Sequence, residues 1–257
     1  MKISAAIITF NEEENIRRAI ESLGFADEIV VIDSESTDKT REIAESLGAK
    51  VVIQRWLGFS KQKQFAADIA ENDFVFSLDA DEEVSNELQS EIHKLKELPE
   101  VELSDGYRIP RLSYYMNRPI KHSGWYPDYQ LRLFNKRRGR WKDVLVHESV
   151  EMDEDAGITT LKADIFHFSV KNAAHHHKMI GERYAPLAAE QMFSAGKSTS
   201  PAKIFIAGFL SFSRSYFLKL GFLDGLPGFV IARFAGHHAF LKHLLLWEKL
   251  VSEPTKK

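Results

Sequence analysis

The chain has no cysteine, which excludes disulfides, thiolate metal sites and a cysteine nucleophile and fits a reducing compartment. It has no G-x-G-x-x-G after its first strand-like run and no G-x-x-x-x-G-K-[ST] anywhere. Neither a dinucleotide oxidoreductase nor a P-loop nucleotidase is therefore expected. Positive charge is not in excess: 34 Lys and Arg stand against 37 Asp and Glu, a formal −3, which excludes a broadly basic nucleic-acid binder. Long apolar runs are missing too. The longest uncharged stretch of the C-terminal region, Ile204 to Ser213, is ten residues, against the roughly 20 that a spanning helix needs. Met1-Lys2 leads directly into a strand-like run, so no signal peptide is expected. There is no internal repeat and no low-complexity tract.

What is present suffices for one well-packed domain with an extension, or for two small ones: 257 residues, 44% of them hydrophobic and 28% charged. The near-neutral total hides an asymmetry. From Pro201 onward eight Lys or Arg face three acids, a balance of +5, so the first 200 residues carry −8. The basic tail is also rich in Phe, Leu and Ile, and two different surfaces are joined in one chain.

The first 80 residues alternate between two periods. Ile3 to Thr9 is a short apolar run suited to a strand buried on both faces. Asn11 is positioned to cap the following helix, with Glu14 as its capping-box partner, and Ile16, Ala19, Ile20 and Leu23 share one helical face. Glu28–Asp33, Lys50–Gln54 and Asp73–Leu78 read as further strands, separated by helices over Asp38–Leu47 and Lys61–Ala70. Strands alternating with helices of this length imply βαβ units and a parallel sheet. Ligands of such sheets sit outside the carboxyl ends of the strands, where three polar clusters fall: Thr9-Phe10-Asn11-Glu12, Asp33 to Asp38, and Asp79-Ala80-Asp81-Glu82-Glu83. Short strands rich in aromatics follow, at 106–110, 130–134 and 164–167, and from Ala173 the pattern is helical.

Asp79 and Asp81, one residue apart at a strand end, suit a single hard cation such as Mg²⁺ or Mn²⁺, which takes oxygen ligands and keeps substrate phosphates in its shell. The alternative is a solvated acidic loop capping a helix at Ser85; the buried strand before it favours the metal. A diphosphate bound without a glycine cradle needs such an ion.

Ala6 to Glu13, Ile29 to Thr40 and Phe76 to Glu82, in this order and spacing, resemble the motifs of family 2 glycosyltransferases with the GT-A fold. Gly124 to Asp128, Arg132 to Asn135, Val146-His147-Glu148 and Gly221 to Gly225 resemble a narrower bacterial branch that includes β-1,4-glucosyltransferases of the lipopolysaccharide inner core. The resemblance implies an α/β GT-A domain over 1–170, Rossmann-like with a mostly parallel sheet flanked by helices. Its nucleotide-sugar half would be about 1–100 and its acceptor half about 101–170. A helical, membrane-associating extension would follow over 171–257.

Carried over, Thr9, Phe10, Asn11 and Glu12 would surround the nucleotide and Asp33 would hydrogen-bond the uracil. Asp79 would lie nearer the ribose, and Asp81 would bind the metal that holds the diphosphate, with Asp79 and the late histidine His167 as further ligands; a satisfied core histidine is the equal alternative for His167. Lys63 and Arg132 are candidates for diphosphate or sugar contacts, with a surface charge as the alternative for each. An inverting transfer needs a carboxylate to deprotonate the acceptor hydroxyl. Glu148 is the first choice and Asp128 the second, with a surface carboxylate paired with a nearby Arg as the alternative for either, and the acidic pair usual in the family is here His147-Glu148. Trp125 and Tyr126 fit either a sugar-stacking wall or core packing. His175-His176-His177 point in different directions on a helix and do not converge on one ion.

The function implied is transfer of a hexose, glucose from UDP-glucose, to a lipid-linked saccharide such as inner-core heptose. The expected enzyme is metal-dependent and cytoplasmic, peripherally bound at the inner face of the cytoplasmic membrane through anionic lipid, a homo-oligomer remaining open. The alternatives are a polyprenyl-phosphate glycosyltransferase, whose usual membrane spans are missing, and a non-catalytic membrane-bound nucleotide-sugar-binding protein.

Overall fold

The computed structural model describes residues 1–143 and 148–252. The chain divides into two compact units, Met1–Leu112 with Asp128–His167, and Ser113–Pro127 with Phe168 onward. Residues 113–127, grouped by sequence with the acceptor half, thus belong to the C-terminal unit.

The first unit opens with β1 (Ile3–Thr9), α1 (Ile16–Glu21), β2 (Glu28–Asp33), α2 (Thr40–Ser46), β3 (Lys50–Ile53), α3 (Phe59–Ile69) and β4 (Phe74–Asp79). It continues through β5 (Glu82–Val84), α4 (Asn86–Glu97) and β6 (Gly106–Tyr115). After β7 (Arg118–Pro119) of the second unit come β8 (Asp128–Asn135), β9 (Gly139–Trp141), β10 (Val150–Met152), β11 (Ile158–Thr160) and β12 (Ile165–His167). The sheet order is β3-β2-β1-β4-β8-β6-β12-β5. The first four strands are parallel, as their βαβ connections require; β8 then pairs antiparallel with both β4 and β6. This is the GT-A arrangement that the resemblance implies, a Rossmann-like half continued by antiparallel strands.

β1 is buried along its whole length because both sheet faces are covered. Ile3, Ala5 and Ile7 point into one apolar cluster with Phe76, Leu88 and Ile92, while Ala6 and Ile8 point into another with Ala66, Phe134 and Trp141. Each fully buried Ile, Leu or Phe contributes about 1.5–3 kcal/mol. Ser85 caps α4, its Oγ accepting from the Leu88 N–H at 3.1 Å.

Two local expectations change. Asn11 is not a helix cap: its φ of 54° turns the chain left-handed, its side chain accepts from the Thr37 N–H at 2.8 Å, and α1 begins only after Asn15. The acidic stretch after β4 is not all loop either. Glu82–Val84 pairs antiparallel with β12, Glu82 opposite His167.

In the second unit α5 (Ala173–Lys178), α6 (Ala185–Ser194) and α7 (Pro201–Ser213) lead to the 28-residue α8 (Gly225–Ser252). The inward stripe of α8 carries Ile231, Ala232, Gly236, Ala239 and Leu246. At the α7–α8 crossing a Cβ on Gly236 would come within 2.8 Å of the Gly208 carbonyl oxygen, so only glycine fits there. Some of the tail's phenylalanines are packed: Phe212 on Tyr216 at 5.5 Å and Phe234 on His176 at 4.3 Å. No helix among the described residues is long and apolar enough to cross a membrane.

Of the three successive histidines, only His176 enters the core, against Tyr115 and Trp125 at 5.4 and 6.1 Å. Trp125 is thereby a packing residue. Burial, helped by the neighbouring His175, pushes the His176 imidazole down from 6.5 to about 4. A histidine held neutral in the folded state supplies stability that is complete above pH 6.5 and is lost as the pH falls through 4, here roughly 3 kcal/mol. His176→Phe is expected to remove that part of the acid destabilisation. Urea unfolding followed between pH 7 and pH 4 would decide it: parallel stability curves for the two proteins would refute the assignment.

Candidate active site at the strand ends

The parallel register brings the first two polar clusters side by side, Thr9 paired with Asp33, and sets Asp79 opposite Ile8. The loop after β1 is tied to the loop after β2: the Asn11 N–H donates to Ser36 Oγ and the Glu12 N–H to Thr40 Oγ1, each at 2.8 Å. Glu12 accepts from the Asn15 amide at 2.7 Å. Phe10 is left exposed. Asp33 is fully buried; its Oδ1 accepts from the Ser36 N–H at 2.9 Å and lies 3.7 Å from Arg41 Nε. Among the described residues its Oδ2 has no hydrogen-bond partner, and neither has the buried Thr9 Oγ1. Such orphans cost about 1–3 kcal/mol each and mark where a ligand would bond.

Beyond Asp79 the side chains form a chain of alternating charge. Glu82, with no exposed surface, accepts from Arg132 at 2.6 Å and from Arg111 at 3.2 Å, and its other oxygen accepts from the Asp79 N–H at 3.0 Å. Arg111 reaches on to Asp128 at 2.6 Å and Arg132 to Asp79 at 2.9 Å. The other Asp79 oxygen lies 2.8 Å from Lys63 Nζ, which is itself 3.7 Å from Glu148 and 4% exposed. Burial alone would raise the Asp79 carboxyl; Lys63 and Arg132 instead hold it well below the usual carboxylate range. Both candidate bases thus end one continuous series: Asp128, Arg111, Glu82, Arg132, Asp79, Lys63, Glu148.

Asp81 turns away from that series toward β12, its Oδ2 lying 3.4 Å from His167 Nε2. With both Asp79 oxygens taken, no group of three or more His, Asp or Glu converges as a metal cage among the described residues. One carboxylate and one imidazole face each other there, a donor pair that suits a cation whose shell is completed by substrate phosphates and water. His147 lies outside the described residues.

Three residues of this site, Glu82, Arg111 and Trp141, have no role legible in the sequence motifs. The Trp141 indole N–H is buried with no partner among the described residues, and Lys63 Nζ lies 5.0 Å from its ring centre. In the structure Glu82 and Val84 are buried around half-exposed Glu83, but the sequence Glu-Glu-Val carries no alternation that would have signalled a strand.

Removing one partner of a buried pair costs about 3–5 kcal/mol because it leaves the other charge uncompensated. Glu82→Gln is expected to lose on that order, whereas Glu21→Gln, which breaks only the exposed pair with Arg17, should stay within about 1 kcal/mol. Equal urea midpoints for the two variants would show that the buried series contributes nothing.

The glycosyl transferase family 2 model matches residues 4–151. An uncharacterised glycosyltransferase of Rickettsia bellii is 36% identical over 253 residues, spanning 94% of this chain and 84% of that one. The lipopolysaccharide core biosynthesis glycosyltransferase LpsC of Rhizobium meliloti is 28% identical over 256 residues, 97% of this chain and 93% of the relative. Among solved structures, Staphylococcus aureus TarS 1–349 in complex with UDP-GlcNAc aligns over 98% of this chain and 92% of its own, with 17% identity and a TM-score of 0.49. The extent of the family match, together with the Rickettsia relative, makes the conclusion direct: this chain is a glycosyltransferase and belongs to family 2.

Proposed function

We propose that the protein is a metal-dependent inverting transferase. It would move glucose from UDP-glucose to a lipid-linked saccharide of the lipopolysaccharide-core type, working as a peripheral protein at the inner face of the cytoplasmic membrane. The observation that carries the donor reading is the pair of orphaned oxygens at the ends of β1 and β2. Asp33 Oδ2 offers a buried acceptor to an N–H such as that of a uracil ring, and Thr9 Oγ1 stands beside it in register. Phe10, Asn11 and Glu12 would line the same nucleotide, with Asp79 nearer the ribose. The name of the LpsC relative supports the acceptor class.

Asp81 and His167 would hold Mg²⁺ or Mn²⁺, one hard oxygen and one nitrogen donor. Such an ion neutralises charge on a departing diphosphate. Arg132 and Lys63 are fixed cations beside the same turn, and the buried Arg132 Nε has a donor to spare among the described residues. Glu148 is preferred as the base that takes the acceptor proton. Both Asp128 oxygens are engaged, by Arg111 and by the Gln130 amide at 2.7 Å, while among the described residues Glu148 has the longer approach to Lys63 at 3.7 Å.

A thermal-shift screen with Mg²⁺ or Mn²⁺ and several UDP- and GDP-sugars tests the donor. A ligand at a hundred times its Kd stabilises by about 2.7 kcal/mol, and UDP-glucose with a metal should give the largest shift. Preference for a GDP-sugar would overturn the uracil contact. Asp81→Asn should make UDP binding weak and insensitive to the metal; a variant that retains wild-type affinity and metal response would remove Asp81 from the site. Glu148→Gln should leave UDP-glucose affinity nearly intact while transfer falls by about 10²–10⁴. The same pattern in Asp128→Asn, and not in Glu148→Gln, would move the base to Asp128.

A further inference from the structure

The C-terminal unit carries an apolar surface that its own packing leaves uncovered. On α7, Phe205, Ile206, Phe209 and Leu210 fall at i, i+1, i+4 and i+5 along one stripe, with Phe205 and Phe209 exposed at 74% and 70%. The next turns continue it: six of the ten residues from 217 to 226 are large, apolar and exposed, Leu218 at 79%. Monomeric proteins rarely leave so much apolar side chain in water without a use for it.

The charges on the same segments have one sign. Lys203, Arg214 and Lys219 are exposed. Between Lys197 and Trp247 there is a single acid, Asp224. Its carboxylate is 6% exposed, 2.8 Å from the His122 ring nitrogen, and accepts from the His122 N–H at 2.9 Å. The segment is therefore apolar and cationic, and its one acid is already paired with His122. A second copy docked on the same face would bring like charges together. An anionic bilayer offers both an apolar layer and the opposite charge.

We propose that the outer stripe of α7 together with residues 217–226 is an insertion surface for an anionic lipid bilayer, held more by its apolar side chains than by its charges. This deepens the peripheral-membrane part of the function proposed above. Its test uses no nucleotide or sugar, so it stands or falls separately from the transferase reading. Each large apolar side chain withdrawn from water multiplies binding by about tenfold or more; each Lys or Arg near an anionic surface does so by about fivefold.

The test is sedimentation of the full-length protein with vesicles of phosphatidylcholine and phosphatidylglycerol, at low and at high salt. Wild-type protein should bind at low salt and keep a large part of that binding at high salt, where charge is screened. Phe205→Glu/Phe209→Glu, at exposed positions that preserve the melting temperature, should weaken binding by about a hundredfold or more at both salt levels. Lys203→Gln/Arg214→Gln should weaken it roughly 25-fold at low salt and scarcely at high salt. A wild-type protein that ignores the vesicles overturns the proposal. So does glutamate-variant binding equal to wild type. Light scattering that finds a dimer dissolved by Phe205→Glu/Phe209→Glu would assign the surface to a second copy instead.

Discussion

Glu82 has no exposed surface, and a carboxylate so far from water must be met by cations at hydrogen-bond distance or lose its charge. Arg132 and Arg111 meet it, but each brings a positive charge of its own into the interior and needs a further anion. Asp79 and Asp128 supply these; Asp79 in turn accepts Lys63, which is almost as deeply buried. The alternation spreads outward from one side chain until it reaches the two carboxylates at its ends. Because Glu82 also accepts from the Asp79 N–H, the same side chain closes the turn that presents Asp79 and Asp81. The position of the D-x-D pair is therefore set by a glutamate outside it.

That turn separates two aspartates which the motif makes look equivalent. Asp79 is saturated by two cations, and the field that keeps it ionised also occupies both its oxygens. Asp81 lies one step further on, where β5 has already paired with β12, and its neighbour is an imidazole. On one side of the turn negative charge is spent on fixed partners. On the other it faces an imidazole at 3.4 Å and feels Arg132 only through space.

The fold of the first 80 residues was legible because parallel strands buried on both faces read as continuous apolar runs, and the polar residues between them had to fall at the strand ends. The strand-end positions of Thr9, Asp33, Asp79 and Asp81 followed from that alone. What remained hidden depended on contacts distant in sequence. Asn11 satisfies a cap pattern locally, yet its amide accepts from Thr37 across the loop after β2. Glu82 sits in a run of four acids within five residues, 79 to 83, and only two arginines contributed by β6 and β8 turn it inward. The pairing of Asp128 with Arg111, which sets it apart from Glu148, joins neighbouring strands and has no signature along the chain.

The second unit solves its packing problem in the opposite way. Its first demand is close contact between helices, met at Gly208 and Gly236, where the two backbones approach until no Cβ fits. Ser211 reinforces the crossing, its hydroxyl donating to the Ala235 carbonyl at 3.0 Å. Ile204 is buried on the inner side of α7 and Phe212 packs edge-on against Phe229 of α8 at 5.9 Å. Phe205, Ile206, Phe209 and Leu210 fall on the remaining circumference, toward solvent. The exposed apolar stripe is thus tied to the tight crossing behind it. Loosening that crossing to take Phe205 and Phe209 inside would cost α7 its packing on α8, so the close approach of the two backbones and the exposed stripe are two consequences of one arrangement.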